Sequence, residues 1–133
     1  MILLDTHVWI WWISNIEKLP QKALGAINKA RGESSIVISS ISTWEIALLV
    51  EKGRLEFSID VRDWVRKTEG LPFVRFAAVD NTISLRSVSL PGVFHADPAD
   101  RIITATAMTM GIPLVTRDEK ILSYPHVSTI WTD

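Results

Sequence analysis

Short apolar runs alternate along this chain with longer stretches of helical periodicity. Met1–Leu4 reads as a short buried strand ending at Asp5, and a helix is expected from about Thr6. From Pro20 to Ala30 the spacing puts Ala23, Leu24 and Ile27 on one helical face, and Gly32 stops that helix. Ile36-Val37-Ile38, within Ser35–Ser39, has the β-branched character of a buried strand. A helix is predicted from about Ser42 to Lys52, ending at Gly53. Asp60 is placed to cap a further helix that carries Val61, Trp64 and Val65. Phe73–Val79 is the next predicted strand and Asp80–Arg86 a short helix. The clearest helix opens at Asp97-Pro98, with Asp at the N-cap, Pro in the first helical position and Gly111 just past the end. Pro113–Thr116 then reads as a strand, Arg117-Asp118 as a turn before a short helical stretch, and Val127–Ile130 as a last edge strand. Strands alternating with helices predict an α/β fold with a parallel sheet covered on both faces.

Composition narrows the setting. A chain of 133 residues fits one domain over residues 1–133, long enough to build a proper core. Hydrophobic residues make up 47% and the net charge is −1, so no basic excess announces a nucleic-acid partner. Any nucleic acid must be met by a local patch. There is no cysteine, which excludes disulfides, zinc–thiolate sites and a cysteine nucleophile. The apolar start MILLDTHVWIWWI lacks a basic leader and is interrupted by Asp5 and His7, so it does not read as a signal peptide. No run approaches the roughly 18 apolar residues of a membrane span. A soluble, cytoplasmic protein is expected.

The acidic residues carry the chemistry. Asp5, Glu45, Asp100 and Asp118 fall near predicted junctions between strands and helices, and Asp97 lies close to the third of them. Each also has a plain structural explanation. Asp5 can cap the helix that follows it. Ser42-Thr43-Trp44-Glu45 matches a capping box. Asp97 is an N-cap, Asp100 suits the positive end of a helix, and Asp118 sits in a polar turn. Taken together they mean more, because open parallel sheets bind ligands beyond the carboxyl ends of their strands. Four carboxylates converging there would repel one another and raise some pKa values, a cost that a divalent cation relieves. Ligands that are all oxygen favour Mg2+ or Mn2+ over zinc or copper. Such ions acidify a water and stabilise charge on a phosphoryl group.

The segments LLDTHVWIW at Leu3–Trp11, SISTWEIALLVEKGRL at Ser40–Leu55 and HADPADRIITATAMTMGIPLVTRDEKIL at His95–Leu122 resemble the PIN domains, specifically the VapC-type toxins of type II toxin–antitoxin pairs. The resemblance covers nearly the whole chain. It implies a three-layer α/β/α sandwich with a central parallel sheet, and Mg2+- or Mn2+-dependent endoribonuclease activity. By position, Asp5, Glu45, Asp100 and Asp118 match the four invariant acids of the family. Thr116 matches the small hydroxyl residue near the fourth, and Asp97 falls where close relatives also carry an acid. The resemblance further implies a cognate antitoxin, an RNA substrate, and assembly as a homodimer or a toxin–antitoxin hetero-oligomer.

Other residues are candidates around this set. Thr6 and Thr116 are hydroxyl neighbours of the acidic positions. Arg101 and Arg117 adjoin two of the acids and can contact RNA phosphate, balance the acidic site, or form ordinary salt bridges with nearby carboxylates; Arg75, Arg86 and Lys120 are weaker candidates. His7 and His95 flank the acids and can position substrate, though a histidine satisfied within a loop is the simpler reading. Trp9, Trp11 and Trp12 cluster on the first predicted helix. Helical neighbours diverge by about 100°, so Trp11 and Trp12 are not expected to share one core, and one is left as an exposed anchor for a protein partner or for RNA bases. Trp44 and Trp64 read as packing residues. Two rival functions are weighed against the nuclease. A phosphatase-like hydrolase with Asp5 as nucleophile meets the objection that Leu4-Asp5-Thr6-His7 has His where the haloacid dehalogenase pattern needs a second Asp. A non-catalytic interaction module would use the acids only as helix caps.

Overall fold

A computed structural model of the chain describes residues 1–132. Five strands form one sheet: β1 (Ile2–Leu4), β2 (Ile36–Ser39), β3 (Val74–Ala77), β4 (Leu114–Val115) and β5 (Thr129–Ile130), in the order β3-β2-β1-β4-β5. All the pairings are parallel. Leu3 stands opposite both Val37 and Leu114, and Leu4 opposite both Ile38 and Val115. The helices are α1 (Thr6–Ser14), α2 (Gln21–Gly32), α3 (Ser40–Glu51), α4 (Val61–Glu69), α5 (Asn81–Ser87), α6 (Pro98–Met110) and α7 (Glu119–Leu122).

Strand pleating sorts the apolar runs into two cores. Ile2, Leu4, Ile36, Ile38 and Val115 point to one face and pack with residues of α1, α2 and α4. Leu3, Val37 and Leu114 point to the other and pack with Ile103 and Ala107 of α6 and Ile121 of α7. Both faces are thus covered, which is why the strands read as continuous apolar runs without polar alternation. The result is the expected α/β/α sandwich. Helix α3 spans the two layers: Ile46 belongs to the first core and Ile41 packs against the second. Among the described residues no helix is long and apolar enough to cross a membrane.

The caps explain the helix starts. Asp60 accepts from Arg62 N, Asp97 from Asp100 N, and Gly111 ends α6 in the left-handed region at φ 65°, as the sequence predicts. Two expectations are corrected and one element is added. Helix α3 begins earlier than predicted: Ser39, at the end of β2, accepts from Ile41 N, so Ser42 lies inside the helix and the Ser42–Glu45 capping box does not form. A turn of 3-10 helix over Ile16–Lys18 carries no clear sequence signal. Trp11 and Trp12 are both buried and belong to the same core, so neither is an exposed anchor, although they meet different partners. Trp11 meets Trp131 with ring centroids 6.0 Å apart, and Trp12 meets Phe73 at 6.2 Å. Helix α1 lies deep enough that both directions end in protein.

Trp9 is fully buried, and its indole N–H donates to the buried Thr68 hydroxyl at 3.0 Å. Thr68→Val keeps the shape and removes the acceptor. It should lower the unfolding free energy by about 1–3 kcal/mol, the usual cost of an orphaned buried donor. Urea denaturation checks this; an unchanged midpoint would mean that water replaces the hydroxyl.

Candidate functional site

The strand order places a crevice at one point. From β1 the chain builds outward through β2 and β3, then returns to the opposite edge of β1 to add β4 and β5. The strand order therefore reverses between β1 and β4, and the carboxyl ends of those two strands are where a parallel sheet opens to ligands. Asp5 directly follows β1; Thr116, Arg117 and Asp118 follow β4. Helix α6 leads into β4, so its first turn, with Asp97 and Asp100, lies at the same edge. Glu45 comes from the second turn of α3, after β2.

These residues line one cavity of about 250 Å³. Its wall carries the carboxylates of Asp5, Glu45, Asp97, Asp100 and Asp118, together with Thr6, His7 and Arg117. No lysine or arginine forms an ion pair with any of the five acids among the described residues. Two hydroxyls stitch the cluster together. The Thr116 hydroxyl donates to Asp5 Oδ2 at 2.6 Å and accepts from Asp118 N at 3.0 Å, tying the end of β4 to the end of β1. The Thr6 hydroxyl lies 2.5 Å from Glu45 Oε1 and 2.8 Å from Ser42 Oγ. A hydroxyl has one proton to give. Thr6 therefore donates to the carboxylate and Ser42 donates to Thr6. His95 Nε2 sits 2.7 Å from Asp100 Oδ2.

The cap reading is correct for three of the acids, and capping occupies only one oxygen of each carboxylate. Asp5 Oδ1 accepts from Thr6 N, Asp97 Oδ1 from Asp100 N, and Asp118 Oδ1 from Lys120 N. The second oxygens of Asp97 and Asp118, and one oxygen each of Glu45 and Asp100, accept no hydrogen bond among the described residues. The electrostatics follow. Burial pushes Asp5 up, opposed by its bonds to Thr116 and Thr6. Burial pushes Glu45 from 4.5 to about 7 against the Thr6 bond, with Asp5, Asp100 and Asp97 adding repulsion. Asp100 goes from 3.8 to about 6, again chiefly through burial, with the His95 bond opposing and Asp5, Asp97 and Asp118 adding repulsion.

A site of this kind suits a cation. The donors are all carboxylate oxygens, several are unused, and no lysine or arginine is ion-paired to them among the described residues. The side chains stand apart around the wall: among the described residues no three acidic or histidine groups close into a ready-made metal cage. Unneutralised carboxylates that repel one another favour such spacing.

The PIN domain family matches this chain over residues 2–127. The chain belongs to the PIN domain family. It is 35% identical over 132 residues to Ribonuclease VapC22 of Mycobacterium tuberculosis, covering 98% of each chain. The VapC-type resemblance read from the three sequence segments is therefore borne out. Solved structures share the fold at lower identity. The DNA-bound VapBC of Salmonella typhimurium aligns with a TM-score of 0.67 and 21% identity, covering 96% of this chain and 95% of that one. VapBC2 of Rickettsia felis, bound to a promoter DNA fragment, gives 0.70 and 18%, covering 97% of each. FitAcB of Neisseria gonorrhoeae gives 0.66 and 21%, covering 97% and 96%.

Not every predicted residue joins the site of this PIN domain. Arg101 turns away from the acids. Its Nε donates to Ser87 O at 2.8 Å, and its Nη1 donates to Phe94 O and His95 O at 3.0 and 3.1 Å. It secures the loop that carries His95 and makes neither of the carboxylate contacts expected of it. Arg117 does reach the cavity, where its guanidinium lies 4.8 Å from the centre of the Trp11 ring. Arg86 bonds Thr109, and neither Arg75 nor Lys120 lines the cavity. The structure also adds Ser42, a buried hydroxyl behind Thr6 that sequence reading had placed only as a cap.

The raised carboxylates make stability depend on pH in a definite sense. Because Glu45 and Asp100 bind protons more tightly when folded, the metal-free protein gains stability as pH falls from about 7 through about 6 toward their ordinary values of 4.5 and 3.8. Melting in EDTA should give a higher Tm near about pH 5 than near about pH 8, and Asp100→Asn should flatten that difference. Added Mn2+ should raise the Tm more at the higher pH. A melting temperature indifferent to both pH and Mn2+ would contradict the charge-strained reading of the cavity.

Proposed function

We propose that this chain is a divalent-metal-dependent endoribonuclease, the toxin of a toxin–antitoxin pair, acting in the cytoplasm as one PIN-like domain over residues 1–133. One observation carries the reading: five carboxylates from four separate parts of the chain line one cavity at the switch point of a parallel sheet, with no lysine or arginine ion-paired to them. The relatedness to a VapC ribonuclease over 98% of the chain supports the substrate class. The VapBC complexes with the same fold support a cognate antitoxin as partner.

Asp5, Glu45, Asp100 and Asp118, with Asp97 beside them, are the residues to hold Mg2+ or Mn2+. Held there, such an ion supplies positive charge for the phosphoryl oxygens and acidifies an attacking water. The protein's own groups do the positioning. Thr116 fixes the Asp5 carboxylate, Thr6 fixes Glu45, and His95 fixes Asp100. An unused carboxylate oxygen on the wall is available to take the proton of the attacking water. Arg117 and His7, at the same cavity, are placed to meet the RNA backbone.

Purified protein, free of antitoxin, should cut RNA at discrete positions in Mn2+ or Mg2+ and fail to do so in EDTA. Asp5→Asn and Asp100→Asn, each verified as folded, should lose activity by about 100-fold or more. Wild-type rates in both variants would sink the proposal. Thr116→Val should weaken cleavage less than either, since it loosens Asp5 and leaves every carboxylate in place.

A further inference from the structure

One large aromatic side chain next to the acidic cavity is left more than half exposed. Trp44 was expected to be a packing residue, yet it is 54% exposed. No ring contact or hydrogen bond engages it among the described residues. It lines a groove of about 190 Å³ between α3 and the start of α6, with Leu48 and Pro98 beside it and Lys52 and Arg54 at the end of α3. Glu45 and Asp97 line both this groove and the acidic cavity, so the two adjoin. Lys52 and Arg54 are exposed, and neither side chain has an ion pair among the described residues.

The order of chemistry along this path selects the occupant. It runs from a phosphoryl-handling cavity to an aromatic face and then to two cations. An apolar protein segment would use Trp44 and Leu48 but would leave the cations without a purpose. An acidic peptide would satisfy the cations, but it brings a flat ring beside its charges only where its sequence happens to place one. A nucleic-acid strand carries a flat base and regularly spaced phosphates on one backbone. Every base has a π-face, so indole stacking tolerates sequence, while cations track the phosphates.

We infer that this groove is a subsite for the RNA strand, in which the base of a nucleotide flanking the cleaved bond stacks on Trp44 and the phosphates beyond it meet Lys52 and Arg54. The inference rests on the nuclease reading of the acidic cavity. It also defines the substrate class more closely. A base can lie on Trp44 only when it is unpaired and unstacked from its neighbours, so the subsite takes single strands, loops or bulges and rejects regular duplex.

The test is steady-state cleavage of a labelled single-stranded RNA oligonucleotide of mixed sequence in Mn2+. Trp44→Ala should raise KM by about 5- to 100-fold with little change in kcat, and Trp44→Phe should retain most of the wild-type value. Replacing Lys52 and Arg54 with Gln should raise KM and reduce the slope of log affinity against log salt by about 1.4, at about 0.7 per phosphate contact on a single strand. All three positions are solvent-exposed, and thermal melts confirm that the variants fold. Wild-type KM in Trp44→Ala, with the wild type active, would overturn the subsite while leaving the nuclease reading intact. So would a Trp44→Ala variant that cleaves normally but no longer associates with itself or with a protein partner, since the groove would then be a protein-docking face. A wild type that cuts no RNA in any metal would remove both readings together.

Discussion

Three residues, Ile2–Leu4, hydrogen-bond a strand on each of their two edges, and the arrangement of the whole carboxyl edge depends on that pairing. Leu3 and Leu4 are fully buried because the sheet has helices on both faces and β1 lies at its centre. The chain must leave β1 in one direction and come back on its other side, and that return brings residues after β4 beside residues after β1. Asp5 and Thr116, 111 positions apart, are in hydrogen-bond contact for this reason alone. The sheet's hydrophobic burial thereby holds in place a carboxylate cluster that would otherwise fly apart.

Helix geometry moderates the same repulsion. Helices α1, α6 and α7 all begin at the cavity, each capped by one of its acids. Free backbone N–H groups at helix starts favour negative charge. Capping takes one oxygen of each aspartate, and the second oxygens of Asp97 and Asp118 accept no hydrogen bond among the described residues, while that of Asp5 accepts from Thr116. The local explanation of these aspartates therefore leaves room for the proposed functional one. Glu45 has no such helix start to lean on and depends on the Thr6 hydroxyl, which is in keeping with its pKa being pushed to about 7.

Much of this was legible in the chain. The strands are short, continuous apolar runs followed by capping residues, and the Asp97-Pro98 to Gly111 helix carries both of its end signals. The acids stood out by their place relative to the strand ends. What escaped reading were directions and distant contacts. Consecutive helical residues diverge by about 100°, so a helix that turns Asp100 to the cavity sends Arg101 elsewhere, and one that turns Glu45 to the cavity and Ile46 to the core leaves Trp44 outside. Sequence spacing alone does not say which neighbour takes which direction. The cap of α3 was misplaced because Ser39, Ser40, Ser42 and Thr43 are all competent caps, and the choice falls to where β2 stops. The Thr6–Glu45 contact spans 39 positions and no local pattern announces it.

The return of the chain to β1 has a consequence for the order in which the protein is made. Asp5 and Glu45, with β1 and β2, leave the ribosome early. Asp97, Asp100, Thr116 and Asp118 follow only after most of the chain has been synthesised, and β4 must be laid against β1 before they meet the first two acids. No amino-terminal fragment that stops short of β4 contains the finished cavity. Until β4 is laid against β1, a nascent chain has no complete carboxylate cavity to offer a ligand.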